Sequence, residues 1–295
     1  MESMREVRTR IKSISQTLTM MSAMKLIATA KLRKARRRLE DTEPYFDTIR
    51  ATMADIAEHS GHVARNWFDK RENKVARRTA TLVITSDRGL AGAYNASVIR
   101  FVEQNCPPGS ILIPIGAIGK RYFMRRDYIL MEDFSVSLKE PSVYEAKDIA
   151  AFAVDLFLSG KIDEFRVAYT RMISTVRLVP ELISILPLDP VDLADPKTSR
   201  RRTRTSADAL GSYTYEPDEE TVFSRLVPKY VKGVIYGTFV EAFASEQAAR
   251  MSAMDSASTN AGDLISRLTL SYNRARQAAI TAEVSEIVAG AAALR

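Results

Sequence analysis

Reactive side chains are scarce in this chain. One cysteine, Cys106, and two histidines, His59 and His62, stand among 295 residues. A single cysteine excludes an internal disulfide and suits a reducing compartment. Two histidines are too few for a metal site without further ligands, and their spacing suits a helix end. No run of about eighteen apolar residues occurs, so no segment reads as a membrane span. A signal peptide is not expected either. Arg5, Arg8, Arg10 and Lys12 interrupt the apolar residues at the N-terminus, where such a peptide would carry a continuous hydrophobic stretch. Proline is absent after Pro228.

Nucleotide and catalytic signatures are missing as well. There is no glycine-rich dinucleotide fingerprint. The segment Gly116-Ala117-Ile118-Gly119-Lys120 follows an apparent strand. It lacks the spacer and the Ser or Thr after Lys that a phosphate-binding loop needs to hold phosphate and magnesium. Asp87-Arg88-Gly89-Leu90 also ends a strand, where α/β sheets place ligands. No nucleophile and base accompany it, so it reads as a glycine-permitted turn fixed by an Asp–Arg contact. We expect no catalytic residue, no cofactor and no metal.

What is present is a long heptad pattern. Val7, Ile11, Ile14, Leu18, Met21, Lys25, Ala28, Leu32, Ala35 and Leu39 recur at steps of four and three, and only Lys25 is polar. Such a seam is narrower than the apolar face of a globular-core helix and calls for a partner helix. Met254, Ala257, Ala261, Leu264, Leu268, Ser271, Ala275, Ala278, Ala282, Ser285, Ala289 and Ala292 follow the same alternation. Their small side chains would let two backbones come close, most of all at Ala275 and Ala278. A strict 3.5-residue period implies a left-handed supercoil. At 1.5 Å per residue the helices would span about 80 Å for residues 3–57 and about 105 Å for residues 219–290. A stiff rod of this kind transmits position more plausibly than it performs chemistry.

Between the ends the texture changes. Residues 58–78 are polar and broken by Gly61, and read as a linker. Residues 80–85 and 111–115 are short apolar runs ended by turn residues and read as buried strands. Helices are expected over 94–105, 117–126 and 143–159, and a strand over 128–134. Residues 165–172 and 177–186 read as strands that can pair as a hairpin, with Pro180 marking an edge. Alternating strands and helices imply an α/β unit around a largely parallel sheet. Residues 187–212 carry Pro187, Pro190 and Pro196 and read as an exposed loop. Asp218 should cap the last helix, with Glu219 and Glu220 in its first turn. Pro44 should bend the first helix, and Pro228 and Gly233 permit a bend in the last. The expected division is 1–57 for the first coiled-coil helix, 75–190 for a Rossmann-like α/β domain, 191–217 for a loop and foot, and 218–295 for the second coiled-coil helix.

The net charge of +7 is unevenly placed. Lys31, Arg33, Lys34, Arg36, Arg37 and Arg38 crowd one stretch of the first helix, and Arg200, Arg201, Arg202 and Arg204 a later loop. Such clusters suit an acidic protein surface, anionic lipid or nucleic acid. A nucleic-acid-binding protein with a helical coiled-coil arm is the competing class. Little aromatic interleaving and no nucleic-acid-binding motif support it.

Three stretches carry a family resemblance. They are MMSAMKLIATAKLRKA at 20–35, ITSDRGLAGAYN at 84–95, and ASEQAARMSAMDSASTNAGDLI at 244–265 with YNRARQAAITAEVSEIVAGAAAL at 272–294. In this order they resemble the gamma subunit of F-type ATP synthases. The resemblance implies an antiparallel, left-handed coiled coil of the two terminal helices beside a Rossmann-like α/β domain. It implies a non-catalytic rotor shaft inside the alpha/beta hexamer, standing with the epsilon subunit on the c-subunit ring, and coupling ion transport to ATP synthesis or hydrolysis. The chain would then lie at the cytoplasmic face of a bacterial-type plasma membrane, peripherally and through its partners, with no nucleic acid bound. Met24, Arg250, Gln277 and Thr281 match positions of contact with alpha and beta, and Glu283 falls in the same region. Lys31, Arg33 and Lys34 match a basic surface facing an acidic lever of beta. Tyr213 and Glu216 match a foot on the c ring. The family often has Cys, Gly and Phe where Ala91, Ala93 and Tyr94 stand, and Gln where Ala282 stands. The paired cysteines of the chloroplast form are absent, so thiol regulation is not expected.

Overall fold

The computed structural model describes residues 4–59, 65–71, 77–131, 140–193 and 215–293. The elements are α1 (Met4–His59), α2 (Arg65–Phe68), β1 (Thr79–Ile84), α3 (Tyr94–Asn105), β2 (Ile111–Ile115), α4 (Ala117–Phe123), β3 (Ile129–Leu130), α5 (Val143–Leu158), β4 (Glu164–Met172), β5 (Leu178–Leu186), α6 (Pro190–Leu193) and α7 (Glu219–Ala293). Two compact units result. One is Met1–Thr29 with Arg250–Arg295, and the other is Ala30–Ala249.

The larger unit holds a five-stranded sheet in the order β3-β2-β1-β4-β5. β1 pairs in parallel with β2 and β4, and β2 in parallel with β3. β4 and β5 form the antiparallel hairpin that the sequence suggested. Pro180 lies opposite Thr170 on the edge strand, where its missing N–H breaks no interior ladder.

Side chains alternate across this sheet. Leu82, Ile84, Ile113, Ile115, Phe165, Val167 and Tyr169 belong to one core, shared with α5 and with stretches of α1 and α7. Val83, Leu112 and Ala168 belong to a second core, covered by α3 and completed by Phe123 of α4. The long helices are therefore not merely appended to the α/β fold. Ile49, Met53 and Ile56 of α1 and Phe223, Val227, Val231, Ile235 and Phe239 of α7 are buried in the core beneath the sheet. Each such side chain contributes about 1.5–3 kcal/mol on burial.

Within this unit the helices run antiparallel. Phe46 packs against Tyr236, and Tyr215 donates to Asp55 Oδ2 at 2.7 Å, so rising numbers in α1 meet falling numbers in α7. The two helices approach closely at Gly233. A Cβ there would stand 2.2 Å from the Phe46 ring. α7 opens as expected, with Asp218 accepting the Thr221 amide at 2.7 Å and its hydroxyl at 2.8 Å. Both helices continue through their internal prolines, Pro44 and Pro228.

Of the linker expected over 58–78, residues 60–64 and 72–76 lie outside the described residues, and the described part is more than a polar tether. Trp67 is buried and stacks on Phe157. Arg71 lies over the same Phe157 ring and pairs with the fully buried Asp163 at 3.2 Å. Asp163 also accepts the Arg78 backbone amide at 3.1 Å. α4 ends at Phe123, earlier than the expected residue 126. Of the strand expected over 128–134, Ile129–Leu130 is formed, and 132–139 lie outside the described residues.

The smaller unit pairs the two terminal segments. Val7 and Ala28 are buried, and Ile11, Ile14, Leu18, Met21 and Lys25 are half-buried, so the seam of α1 is used along its length. Lys25, its one polar member, pairs with Asp255 at 2.6 Å. In α7 the register differs from expectation. The expected Met254, Ala257, Ala261 and Leu268 are buried or half-buried, and so are Ser258, Ile265 and Tyr272, whereas the expected Leu264 and Ser271 are exposed. Counting back from Lys25 to Val7, and equally far forward from Asp255, arrives at residue 273, next to Tyr272. Beyond that point every residue through 289 is exposed. Ala275 and Ala278 are therefore not a site of close helix approach. By the same count Met4, the first described residue of α1, stands opposite residue 276, so among the described residues no part of α1 reaches Ala278.

Candidate functional site

Two places invite a functional reading: the carboxyl ends of the parallel strands, and the charged and bare faces of the long helices. The strand order reverses at β1, with β2 and β3 on one side and β4 on the other. Open α/β sheets bind ligands in the crevice at such a point. Here α7 occupies it. Ser245 Oγ donates to the Thr170 carbonyl at 2.8 Å, and the Met172 amide donates to Glu241 Oε1 at 3.3 Å. The Tyr94 hydroxyl donates to the Ala242 carbonyl at 3.1 Å. That bond gives a use to a tyrosine where the resembling family often has Phe.

The candidate phosphate loop is closed by its own hydrogen bonds. The Ala117 amide donates to Asp87 Oδ1 at 3.0 Å, Ile118 to the Ser86 carbonyl at 3.2 Å, Gly119 to Thr85 Oγ1 at 2.9 Å and Lys120 to the Gly116 carbonyl at 3.2 Å. The four amides from Ala117 to Lys120 are all engaged within the chain. Gly116 has φ 89°, and a Cβ there would stand 2.1 Å from the Thr85 carbonyl oxygen. The Asp87–Leu90 turn is built differently from expectation. Its left-handed residues are Leu90 and Gly92 rather than Gly89, and Asp87 serves the first amide of α4.

Acidic groups around α7 and α5 carry shifted pKa values. Burial pushes the Glu241 carboxyl up, and the Met172 amide only partly opposes this. Burial, with Asp87 nearby, also raises Glu145. The Tyr169 hydroxyl donates to Glu181 Oε2 at 3.2 Å, and burial raises its pKa too. Glu241, through the Met172 amide and Tyr169, ties the last helix to β4. Among the described residues no His, Cys, Asp and Glu cluster could hold a metal ion.

The basic stretch of α1 is mostly exposed. Arg33 and Lys34 are exposed and Lys31 is half-buried. Lys34 is engaged within the chain: its Nζ lies 3.1 Å from Glu140 Oε1, and Arg38 Nη2 lies 3.0 Å from Glu140 Oε2. The Lys34 and Arg38 hydrogen bonds hold the Glu140 carboxyl below the ordinary glutamate range. Sequence reasoning missed Glu140, which is more than a hundred residues from its partners. Its only local signal is the Pro141-Ser142 step that opens α5.

The remaining predicted residues are dispersed. Met24 and Arg250 are half-buried in the smaller unit. Gln277, Thr281 and Glu283 are exposed on the bare end of α7. Gln277 and Thr281 share a face, while Glu283, two residues on, points about 200° around the helix from Thr281. Between them runs an unanticipated apolar stripe, with Ile280 53%, Val284 54%, Ile287 66% and Val288 63% exposed. Glu216 is exposed beside the anchored Tyr215. Tyr213 and the arginine run at 200–204 lie outside the described residues.

Comparison with known proteins places this architecture. The ATP synthase family model matches residues 3–294. The chain is 42% identical to the ATP synthase gamma chain of Ruminiclostridium cellulolyticum, covering 99% of both chains. It is 41% identical to that of Acetivibrio thermocellus over the full length of both. It is 38% identical to the sodium ion specific gamma chain of Acetobacterium woodii, again covering 99% of both. Among solved structures, a chain of the Euglena gracilis mitochondrial ATP synthase (OSCP/F1/c-ring) matches at TM-score 0.64 and 18% identity, covering 99% of this chain and 94% of that one. A central stalk chain from Tetrahymena thermophila matches at TM-score 0.56 and 22% identity, covering 81% and 99%. At these identities the structural likeness concerns the fold, while the sequence kinship runs from end to end: the chain belongs to the ATP synthase gamma chain family.

Proposed function

We propose that this chain is the central rotor shaft of an F-type ATP synthase. It couples rotation of a membrane c ring to ATP synthesis or hydrolysis in an alpha/beta hexamer, and itself performs no chemistry. The observation that carries this reading is the bare end of α7. From residue 273 through 289 the helix is exposed on all sides, with an apolar stripe at 280, 284 and 287, and no described residue of its own chain covers it. Exposed apolar faces of this kind mark protein contacts.

In this reading Met24, Arg250, Gln277, Thr281 and Glu283 contact alpha and beta, and Lys31, Arg33 and Lys34 face an acidic surface of beta. Tyr213 and Glu216 form part of the foot on the c ring, and the α/β domain stands with the epsilon subunit. The sequence division at 57, 75, 190 and 218 then separates shaft, platform and foot. The chain sits peripherally at the cytoplasmic face of the plasma membrane, held by its partners and moving with ion transport. Among the described residues no helix is long and apolar enough to cross a membrane.

The test is reconstitution with alpha and beta subunits, read out as ATPase activity. Gln277→Leu should leave the melting of the isolated chain unchanged and lower the ATPase rate of the complex. A normal rate would remove Gln277 from the contact. The triple variant Lys31→Ala, Arg33→Ala, Lys34→Ala should fold normally, because exposed ion pairs are worth about 0–1 kcal/mol each. In vesicles that also contain the membrane subunits, its ATP-driven ion pumping should fall further than its hydrolysis. Equal losses would assign the cluster to assembly, and wild-type values for both would leave it a solvated face.

A further inference from the structure

Lys34 and Arg38 are four residues apart and share a face of α1. Both reach one carboxylate, Glu140. Among the described residues no carboxylate pairs with their basic neighbours Lys31, Arg33 or Arg37. Glu140 is held from behind. Pro141 follows it, and Ser142 Oγ accepts the Tyr144 amide at 3.2 Å, capping α5. The buried face of that helix, Ala146, Ile149, Ala150 and Ala153, is locked into the core. Its partners are open to water, with the Lys34 side chain 57% and the Glu140 side chain 49% exposed. An ion pair so exposed is weak and exchangeable.

We propose that Glu140 is a resident competitor for the basic face of α1. It holds Lys34 and Arg38 within the chain and releases them when an acidic surface of a partner protein docks. A free basic cluster on a protein of net positive charge would attract any polyanion; a tethered carboxylate raises the threshold for weak ones. An acidic surface with several carboxylates can outcompete one glutamate, because it engages Lys31, Arg33, Lys34 and Arg38 together. This rests on the reading of Lys31, Arg33 and Lys34 as partner-facing.

The test measures equilibrium binding of the full-length chain to the alpha/beta complex at low and high salt. The variants are Glu140→Gln, the pair Lys34→Ala with Arg38→Ala, and all three combined, each checked for a cooperative thermal melt well above the binding temperature. Glu140→Gln should tighten binding about two- to five-fold at low salt, the range that exchange of one exposed ion pair allows. The gain should shrink at high salt and vanish in the combined variant. Unchanged or weaker binding by Glu140→Gln, with the Lys34/Arg38 variant weakened, would overturn the competition while keeping the basic face in the interface. Wild-type binding by the Lys34/Arg38 variant would overturn both the competition and the partner-facing reading.

Discussion

Two stretches of the same helix, α7, behave in opposite ways. From Phe223 to Ala248 it is buried so densely that Phe223, Val227, Val231, Ile235, Phe239 and Ala242 lose all contact with water. From residue 273 to 289 every position is exposed. Helix formation itself does not distinguish them, since both are continuous α-helix. What differs is the neighbour. The first stretch lies under a sheet and against α1 and α5, whereas the second, after its first few residues, has run past the described residues of α1. An Ala-rich helix can stand in water, because alanine has the highest helix propensity and hides little apolar surface. The first stretch is thus a structural element, and the second an element that waits for a partner.

The sharpest way to break this comparison is to truncate one side chain in each stretch. Phe239→Ala should destabilise the isolated chain by about 3–5 kcal/mol through a core cavity. Ile280→Ala should fall within about 0.5 kcal/mol of wild type. Denaturant melts read both, and a large loss at Ile280 would mean that the end of α7 is covered by its own chain. A similar logic applies to Ala278. Ala278→Leu should leave the melt of the isolated chain unchanged, and its effect should show only in the assembled complex.

Glycines in the buried stretch give a middle-sized test. Gly233→Ala places a methyl group against the Phe46 ring. Overpacking costs about 1–3 kcal/mol, against which the helix gains up to about 1 kcal/mol from alanine. A net loss near 1 kcal/mol should appear as a lowered Tm. At Gly237 an added Cβ meets nothing within 4 Å. Gly237→Ala should therefore stabilise by about 0.5–1 kcal/mol. Equal effects at the two sites would mean that the helices do not approach at Gly233.

The smallest effects are pH-dependent, and the two glutamates should move in opposite directions. Glu241 has its pKa raised by burial, so its folded form binds a proton more tightly than the unfolded chain does. Its contribution is full below the unfolded pKa and is lost as pH rises through the folded one. Glu241→Gln should raise Tm relative to wild type at neutral pH, with the gap closing in acid. Glu140 has its pKa lowered by Lys34 and Arg38. Its contribution is present above the unfolded pKa and is lost as pH falls through the folded one. Glu140→Gln should lower Tm slightly at neutral pH, with that gap also closing in acid. Tm measured against pH for both variants checks the signs.

Much of the fold was legible in residue patterns. The runs at 80–85 and 111–115 became adjacent parallel strands, and Pro180 fell on the edge strand as its missing N–H requires. The anchoring at Trp67 was not legible, because a single Trp67-Phe68 pair between polar stretches carries no period. Glu140 was hidden for a different reason: its partners lie far away in sequence, and only packing of α5 brings it to them. The closing of the Gly116–Lys120 turn was half visible. The missing spacer argued against a phosphate, but the capture of its amides by Thr85, Ser86 and Asp87 needed three dimensions.

By itself the sequence determined the helical period of both ends, the strand-and-helix alternation between them and the kinship to the ATP synthase gamma chain, because periodicity and motif are properties of residue order. Tertiary structure decided the register of the coiled coil and where it stops. Ala and Ser lie on several faces of α7, so more than one stripe satisfies the heptad rule. Ala257 and Ser258 are both half-buried, but further on Ile265 and Tyr272 are covered where Leu264 and Ser271 are exposed, with Lys25 paired to Asp255. The pairing ends near Tyr272 because burial needs a neighbour, and helix propensity continues without one.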